Sequence, residues 1–135
     1  MTSTTIADPK AEKATALLKI TLTDADGVTP LLDLDSILVT TKVTLYEKKT
    51  GTIINSRTAQ SILNTNGGTV YAALQTDAAG NTYNLLLRLD PDDMIIILGA
   101  KSEEHVALIS WTWGSPLKTG HYEVVFTVNN LLKVT

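Results

Sequence analysis

The chain contains no cysteine among its 135 residues, which excludes a disulfide framework, a thiolate metal site and a cysteine nucleophile. It also lacks an apolar run of the ~18–20 residues that a membrane-spanning helix needs, and its N-terminus lacks the pattern of a secretion signal. The 11 Lys and Arg residues are fewer than the 14 Asp and Glu residues, and they are dispersed, whereas a nucleic-acid groove needs a basic stripe. The sequence therefore predicts a protein that is soluble as made and binds neither membrane nor nucleic acid.

Candidate groups for catalysis are few. His105 and His121 are the only histidines, and either could serve a catalytic triad or a metal site. Both lie in stretches that we predict to be neighbouring strands, which would allow the two rings to approach each other. Neither a Gly-x-Ser-x-Gly elbow nor a metalloprotease motif accompanies them. We therefore expect solvent-facing strand histidines, and the sequence predicts no catalytic residue, no cofactor and no enzymatic activity.

Aspartates are concentrated in two places, at Asp24 and Asp26 and again at Asp90, Asp92 and Asp93. Oxygen-rich loops can hold calcium, so a calcium ion is an open alternative here. The EF-hand order is not present, because the glycine that follows Asp26 comes too early in the loop. Turn formation and helix capping account for these side chains without a metal, and the sequence predicts none.

Apolar residues in alternation, the period of a β-strand, are abundant. The pattern is clearest from His121 to Val128, where Tyr122, Val124, Phe126 and Val128 share the face that we expect to lie against a core. Similar stretches recur roughly every 8–12 residues between turns rich in glycine and aspartate, and this spacing indicates a two-sheet sandwich. Strands are predicted at residues 14–23, 37–48, 52–56, 70–74, 82–89, 104–113 and 121–128. The sequence thus predicts an all-β fold, an antiparallel β-sandwich of about seven strands.

Two segments do not fit the strand pattern. Around residues 90–98, Asp90 as a cap and Pro91 at the first position predict a short helical turn, although the run of three isoleucines that follows disfavours a helix. Residues 1–13 are small, polar and charged, so we interpret them as a flexible N-terminal arm. The predicted domain organisation is this arm followed by one sandwich domain over residues 14–135.

Surfaces for contact with partners are the remaining candidates for function. Trp111 and Trp113 share one face of a predicted strand, and two interpretations stay open: a core position for at least one of them, or an exposed aromatic platform completed by Tyr122. The chain also stays apolar almost to its last residue, which suggests pairing with a strand or a neighbour. The predicted partner-binding residues in the arm, the tryptophan pair and the C-terminal end are Ile6, Pro9, Trp111, Trp113, Leu131, Leu132 and Val134.

Four segments of the chain are distinctive: the acidic turn Leu89-Asp90-Pro91-Asp92-Asp93-Met94, the strand from Val106 to Trp113, the segment Lys118-Thr119-Gly120-His121-Tyr122-Glu123-Val124-Val125-Phe126-Thr127-Val128 and the turn Asp24-Ala25-Asp26-Gly27. With them the chain resembles small immunoglobulin-like sandwich proteins of tailed-phage virions, and the resemblance implies that the predicted antiparallel β-sandwich is immunoglobulin-like. The Cys…Trp…Cys pattern of antibody-type domains is missing, which argues against a vertebrate immunoglobulin relative.

The resemblance implies a structural role without catalytic residues, as a capsid decoration, neck or tail-associated component. The implied location is the virion, after a soluble stage in the host cytoplasm, and the implied partners are other virion proteins and further copies of the chain. The alternative is a carbohydrate-binding or adhesion module, with a surface carbohydrate as its ligand, that uses the aromatic platform.

Overall fold

A computed structural model describes residues 2–5, 10–11, 14–24, 26, 29–31, 38–62, 68–99, 101–114 and 116–130. These residues form nine strands and one 3₁₀ helix. The strands are β1 (Thr2–Thr5), β2 (Lys10–Ala11), β3 (Ala16–Ile20), β4 (Leu38–Glu47), β5 (Gln60–Ser61), β6 (Gly68–Thr76), β7 (Thr82–Leu89), β8 (Ser102–Trp113) and β9 (Lys118–Asn129), and the 3₁₀ helix spans Pro91–Met94.

The strands form two sheets that enclose one core. The larger sheet has the order β1-β9-β8-β4-β5, with β2 also on β9, and the smaller sheet has the order β3-β7-β6. The triplets β3-β7-β6 and β4-β8-β9 match the B-E-D and C-F-G strands of an immunoglobulin-type sandwich. The predicted all-β sandwich with one short helical turn is therefore confirmed.

Alternation along the long strands explains the two layers. In β3 the burial strictly alternates between buried and exposed positions, and in β9 Val124, Phe126 and Val128 face the core as the sequence predicts. Leu85, Leu87 and Leu89 of β7 approach the same core from the opposite sheet. Since side chains of a strand point to alternate faces, each sheet contributes every second residue to a shared apolar interior.

Two predicted segments, residues 52–56 and the helical turn at 90–98, differ in detail from the structure. Residues 52–56 do not form a strand: only Ile53 makes a single bridge, to Tyr46, and Asn55 and Ser56 then take left-handed φ values of 53° and 55°. The helical turn ends at Met94, and Ile95 is extended, as a β-branched residue prefers. The segment predicted to be a flexible arm contains β1 and β2, which pair parallel with β9.

A buried ion pair holds the 3₁₀ helix against the turn at residues 54–57. Arg57 Nε donates to Asp93 Oδ1 at 2.9 Å, and both side chains are almost fully buried. The other oxygen of Asp93 accepts from the backbone N–H of Asp90 at 2.7 Å, which closes the helix N-terminus. Asn55 Nδ2 also donates to Asp93, at 2.9 Å. The acidic cluster around residue 90 therefore caps a helix and pairs with an arginine.

The indole of Trp111 lies directly over Gly120, its partner across β8 and β9. A Cβ atom built on Gly120 would overlap ring carbons of Trp111 and come within 2.9 Å of its Nε1. Trp113 stacks beside Trp111, with 6.3 Å between ring centroids and 26° between ring planes. A glycine is therefore needed opposite the ring, because any side chain would displace the indole from the core.

We expect Gly120→Ala to reduce the free energy of unfolding by about 1–3 kcal/mol, because a methyl group must share space with a packed aromatic ring. Thr119→Ala is the matched control, because Thr119 precedes Gly120 and its side chain is exposed. Surface substitutions usually change stability by less than about 0.5 kcal/mol. Urea unfolding followed by circular dichroism measures both. Equal stability of the two variants would contradict the packing described for Trp111.

Candidate functional site

The largest concentration of buried titratable groups lies where β4 and β8 run side by side. Glu47 and His105 are cross-strand partners there, and Glu103 lies two residues before the histidine on β8. All three side chains are buried. We call Glu47, Glu103 and His105 the acid–histidine cluster. Such a cluster is where catalysis would be sought first, because buried ionisable groups concentrate at functional sites.

Glu103 is fully engaged by hydrogen bonds. Its Oε1 accepts from His105 Nε2 at 2.7 Å and from the backbone N–H of Ile97 at 2.6 Å, and its Oε2 accepts from the N–H of Leu98 at 2.9 Å. Burial alone would raise the pKa of this carboxyl, but the hydrogen bonds from His105, Ile97 and Leu98 outweigh burial and hold the pKa below its usual value. Glu103 therefore stays ionised and ties the 95–99 loop to β8.

Glu47 does the same for the turn that follows β4. It accepts from the backbone N–H groups of Lys49 at 3.0 Å and Thr50 at 2.8 Å, and from the Thr50 hydroxyl at 2.9 Å. Burial opposes ionisation of this carboxyl too, but these three hydrogen bonds and the nearby His105 lower its pKa. Both carboxylates of the cluster are thus ionised acceptors for loop backbone.

A cavity of about 360 Å³ opens beside the cluster, and Glu47 and Glu103 form part of its wall together with Lys48, Glu104 and Leu98. At its mouth Lys48 Nζ lies 3.7 Å from the Glu104 carboxylate, and both side chains are about half exposed. The carboxylates of Glu47 and Glu103 each accept three hydrogen bonds, from loop groups and, for Glu103, also from His105. The carboxylates in the cavity wall therefore hold loops and His105 in place by hydrogen bonds.

The two histidines do not meet. His105 pairs with Phe126 and His121 with Ser110 on the same two strands, so five residues separate them along β8, or roughly 17 Å. The expectation that both histidines face solvent is correct for His121, which is exposed, and wrong for His105, which is fully buried against Phe126 with 5.7 Å between ring centroids. Nδ1 of His105 has no hydrogen-bond partner among the described residues.

The aspartates predicted as an alternative calcium site have other contacts. Arg88 Nε donates to Asp90 at 2.8 Å, and Lys118 Nζ lies 3.7 Å from Asp24. Asp26 accepts from the backbone N–H of Thr29 at 2.9 Å, as a turn-forming aspartate does. Within the described ranges, no group of three or more His, Asp or Glu side chains could hold a metal ion.

The aromatic platform predicted as an alternative does not form. Trp111 is 2% exposed and Trp113 is 5% exposed, and both belong to the core cluster. The prediction that at least one of them is a core residue is confirmed, and the assignment of the pair to partner binding stays a prediction. Tyr122, the third member of the platform, is half-buried against the same core. From Ala107 to Trp113 the inward face of β8 is apolar.

The outer face of the larger sheet is also partly apolar. Val106 and Val125 are cross-strand partners that are 2% and 7% exposed, yet neither belongs to the core cluster. Tyr46 is the neighbour of Val106 on β4; burial, then the charge of Glu123 and a hydrogen bond to it, raise the tyrosine pKa. This outer apolar surface therefore continues across three strands, β4, β8 and β9.

The sequence reasoning did not single out Glu47 and Glu103. A signal was present, because both occupy positions that the alternation assigns to the core face: Glu47 continues the series of Val43 and Leu45, and Glu103 precedes Ala107 and Ile109 at even spacing. An acidic residue on the apolar side of a strand indicates a buried hydrogen-bonded group. The predicted contact residues Ile6, Pro9, Leu131, Leu132 and Val134 lie outside the described residues.

Comparisons with known proteins give no relatives for this chain. Neither protein-family models, nor curated proteins, nor solved structures return a match. In the part of the chain that the structure describes, no helix has the length and apolar character to cross a membrane.

The acid–histidine cluster makes stability depend on pH. The folded pKa values of Glu47 and Glu103 are lowered, so the unfolded chain takes up protons first as the pH falls. Their stabilisation is present above the unfolded value of about 4.3 and is lost as the pH falls through the lower folded values.

We expect Glu103→Gln to lower the free energy of unfolding at pH 7 by about 1–3 kcal/mol, because the amide cannot accept all three hydrogen bonds. The same variant should lose less further stability between pH 5 and pH 3 than the parent, since one titrating group is gone. Glu104→Gln is the control, because Glu104 is exposed. Urea titrations across this pH range test both variants, and identical pH profiles for the two would refute the role given to Glu103.

The burial of both indoles predicts blue-shifted tryptophan emission that iodide quenches poorly in the native protein. The urea-unfolded chain is the reference, and its emission should be red-shifted and readily quenched. Fluorescence titration with iodide measures the difference. Native emission at the unfolded wavelength would mean that Trp111 and Trp113 face solvent.

Proposed function

We propose that this protein is a non-enzymatic structural component that acts through protein–protein assembly contacts. One observation supports this most directly: the edge of β9 that faces away from β8 pairs with two further strands, β1 and β2, in parallel. A sheet edge that accepts an added strand is a common joint between protein chains. The recognition is made by main-chain groups and needs no dedicated side-chain chemistry.

The acid–histidine cluster supports the same proposal. Its carboxylates spend their acceptor capacity on the backbone of the 48–50 turn and the 95–99 loop. A general acid or base needs a proton-accepting position directed at a substrate, and these oxygens are directed at loop amides. The cluster is accounted for as a structural device.

The specific setting we propose is a tailed-phage virion, as a capsid decoration, neck or tail-associated protein. This part rests on the sequence resemblance of the acidic turn and the last two strands to such proteins. The sandwich fold and the strand order are compatible with it. In this setting the protein would contact further copies of itself and other virion proteins.

We expect the purified protein to self-associate as its concentration rises, and removal of residues 2–11 to weaken that association by at least about tenfold, or about 1.4 kcal/mol. The physical reason is the loss of the strand that β9 binds. Sedimentation equilibrium measures the association, and circular dichroism checks that the shortened chain keeps its β spectrum.

A second variant covers the case in which the shortened chain aggregates. Only alternate residues of an edge strand bond to the neighbouring strand. Replacing both Ser3 and Thr4 with proline removes two consecutive N–H groups, so one hydrogen-bond donor to β9 is lost whichever of the two residues supplies it. The variant should also associate more weakly. A parent protein that stays monomeric at all concentrations, or variants that associate as the parent does, would contradict the assembly role.

A further inference from the structure

The N-terminal strands follow β9 along most of its length. Thr2 to Thr5 pair with Tyr122 to Val125, and Lys10 and Ala11 pair with Val128 and Asn129. Four residues lie between Thr5 and Lys10, whereas two lie between Val125 and Val128. The register therefore shifts by two between the two short strands. A shift of two residues preserves the alternation of faces, so β1 and β2 have the same orientation of faces relative to β9.

The pairing of β1 and of β2 with β9 is weak. The two strands contain four and two residues, and parallel pairs are somewhat less stable per residue than antiparallel pairs. β1 consists of threonine and serine only, so its attachment depends on backbone hydrogen bonds. Backbone groups of β9 accept any strand of suitable register, whether it belongs to the same chain or to another copy.

The connection that follows β2 is short. Ala11 ends a strand of the larger sheet and Ala16 begins a strand of the smaller sheet, so four residues join the two sheets. Packed sheets lie about 10 Å apart, and a chain of this length reaches roughly 16–18 Å when extended. The connection is therefore longer than the gap requires, so the N-terminal strands can separate from β9 without displacing β3.

We propose that β1 and β2 are exchanged between copies, so that the N-terminal strands of one chain complete the sheet of a second chain along its β9. The proposal rests on the assembly role proposed above and names the partner as another copy of the same chain. A reciprocal exchange gives a closed twofold dimer, and a one-way exchange gives a ring or an open series. Every contact seen within one chain is kept in the exchanged form.

The absence of cysteine makes a direct test simple. Ser3 and Glu123 are register partners on β1 and β9, and neighbouring strands lie about 4.8 Å apart, a separation that a disulfide can bridge. One variant carries Ser3→Cys and a second carries Glu123→Cys. The two are mixed in equal amounts, unfolded together, refolded and oxidised, and the products are separated on a non-reducing gel and mapped by peptide mass.

Exchange predicts a covalent dimer in which position 3 of one chain is bonded to position 123 of the other. For a reciprocal dimer, random pairing places at most about half of the chains in such mixed pairs, so the yield should approach that ceiling. Lys19→Cys mixed with Ser3→Cys is the matched control: Lys19 lies on the smaller sheet, and this pair should not cross-link. If β1 and β2 stay on their own chain, no disulfide forms between position 3 of one chain and position 123 of another. That result would overturn the proposal.

The double variant, with Ser3→Cys and Glu123→Cys in one chain, provides the second readout. Exchange predicts covalent oligomers from this variant, and a product that is only a cross-linked monomer, or no cross-link at all, would overturn it. The mass of the parent protein separates this outcome from the wider proposal. Self-association without the 3–123 bond between chains removes the exchange and leaves assembly standing, whereas a strictly monomeric parent removes both.

Discussion

Buried polar side chains that satisfy the backbone of the connecting loops are the constraint on which this sandwich depends. Glu47 accepts hydrogen bonds from the amides of the turn after β4, Glu103 from those of the loop before β8, and Asp93 from the amide of Asp90, which caps the 3₁₀ helix. Asn84 bonds with the N–H and C=O of Leu22 and with the C=O of Leu31. Each of these side chains replaces water for groups that the core would otherwise leave unpaired.

This arrangement changes how the acidic residues and the histidine are to be understood. In the sequence they look like material for catalysis or metal binding, because their types are those of reactive groups. In the fold their hydrogen-bonding capacity is directed at loop amides and at Arg57. An ionised carboxylate surrounded by fixed donors is a strong clamp and a poor base, since the donors that lower its pKa also oppose protonation. Among the described residues, the sheet edges and the outer face are the surfaces on which the proposed assembly contacts rest.

The sequence predicts the long strands well, because the two-residue period of β7, β8 and β9 is visible in the order of apolar residues. It fails at residues 52–56, where Asn55 and Ser56 take positive φ and turn the chain. It also misplaces His105, because alternation marks His105 and Glu103 as core-face positions but does not show that the two side chains hydrogen-bond to each other. The pairing of β1 with β9 leaves no side-chain pattern, since main-chain groups make it, and no reading of residue types could find it.

The parallel direction of β1 gives the molecule two distinct poles. Thr2 lies beside Tyr122, at the end of the sandwich where the turn before β9 carries the 60% exposed Leu117, and Asn130 follows the far end of the same strand. Seven residues of β9 separate Tyr122 from Asn129, or about 23 Å. A fluorophore or purification tag placed ahead of Thr2 would therefore emerge at one pole, and one placed after Asn130 would emerge at the other. Copies joined in tandem through these two points would form a line along the strand direction.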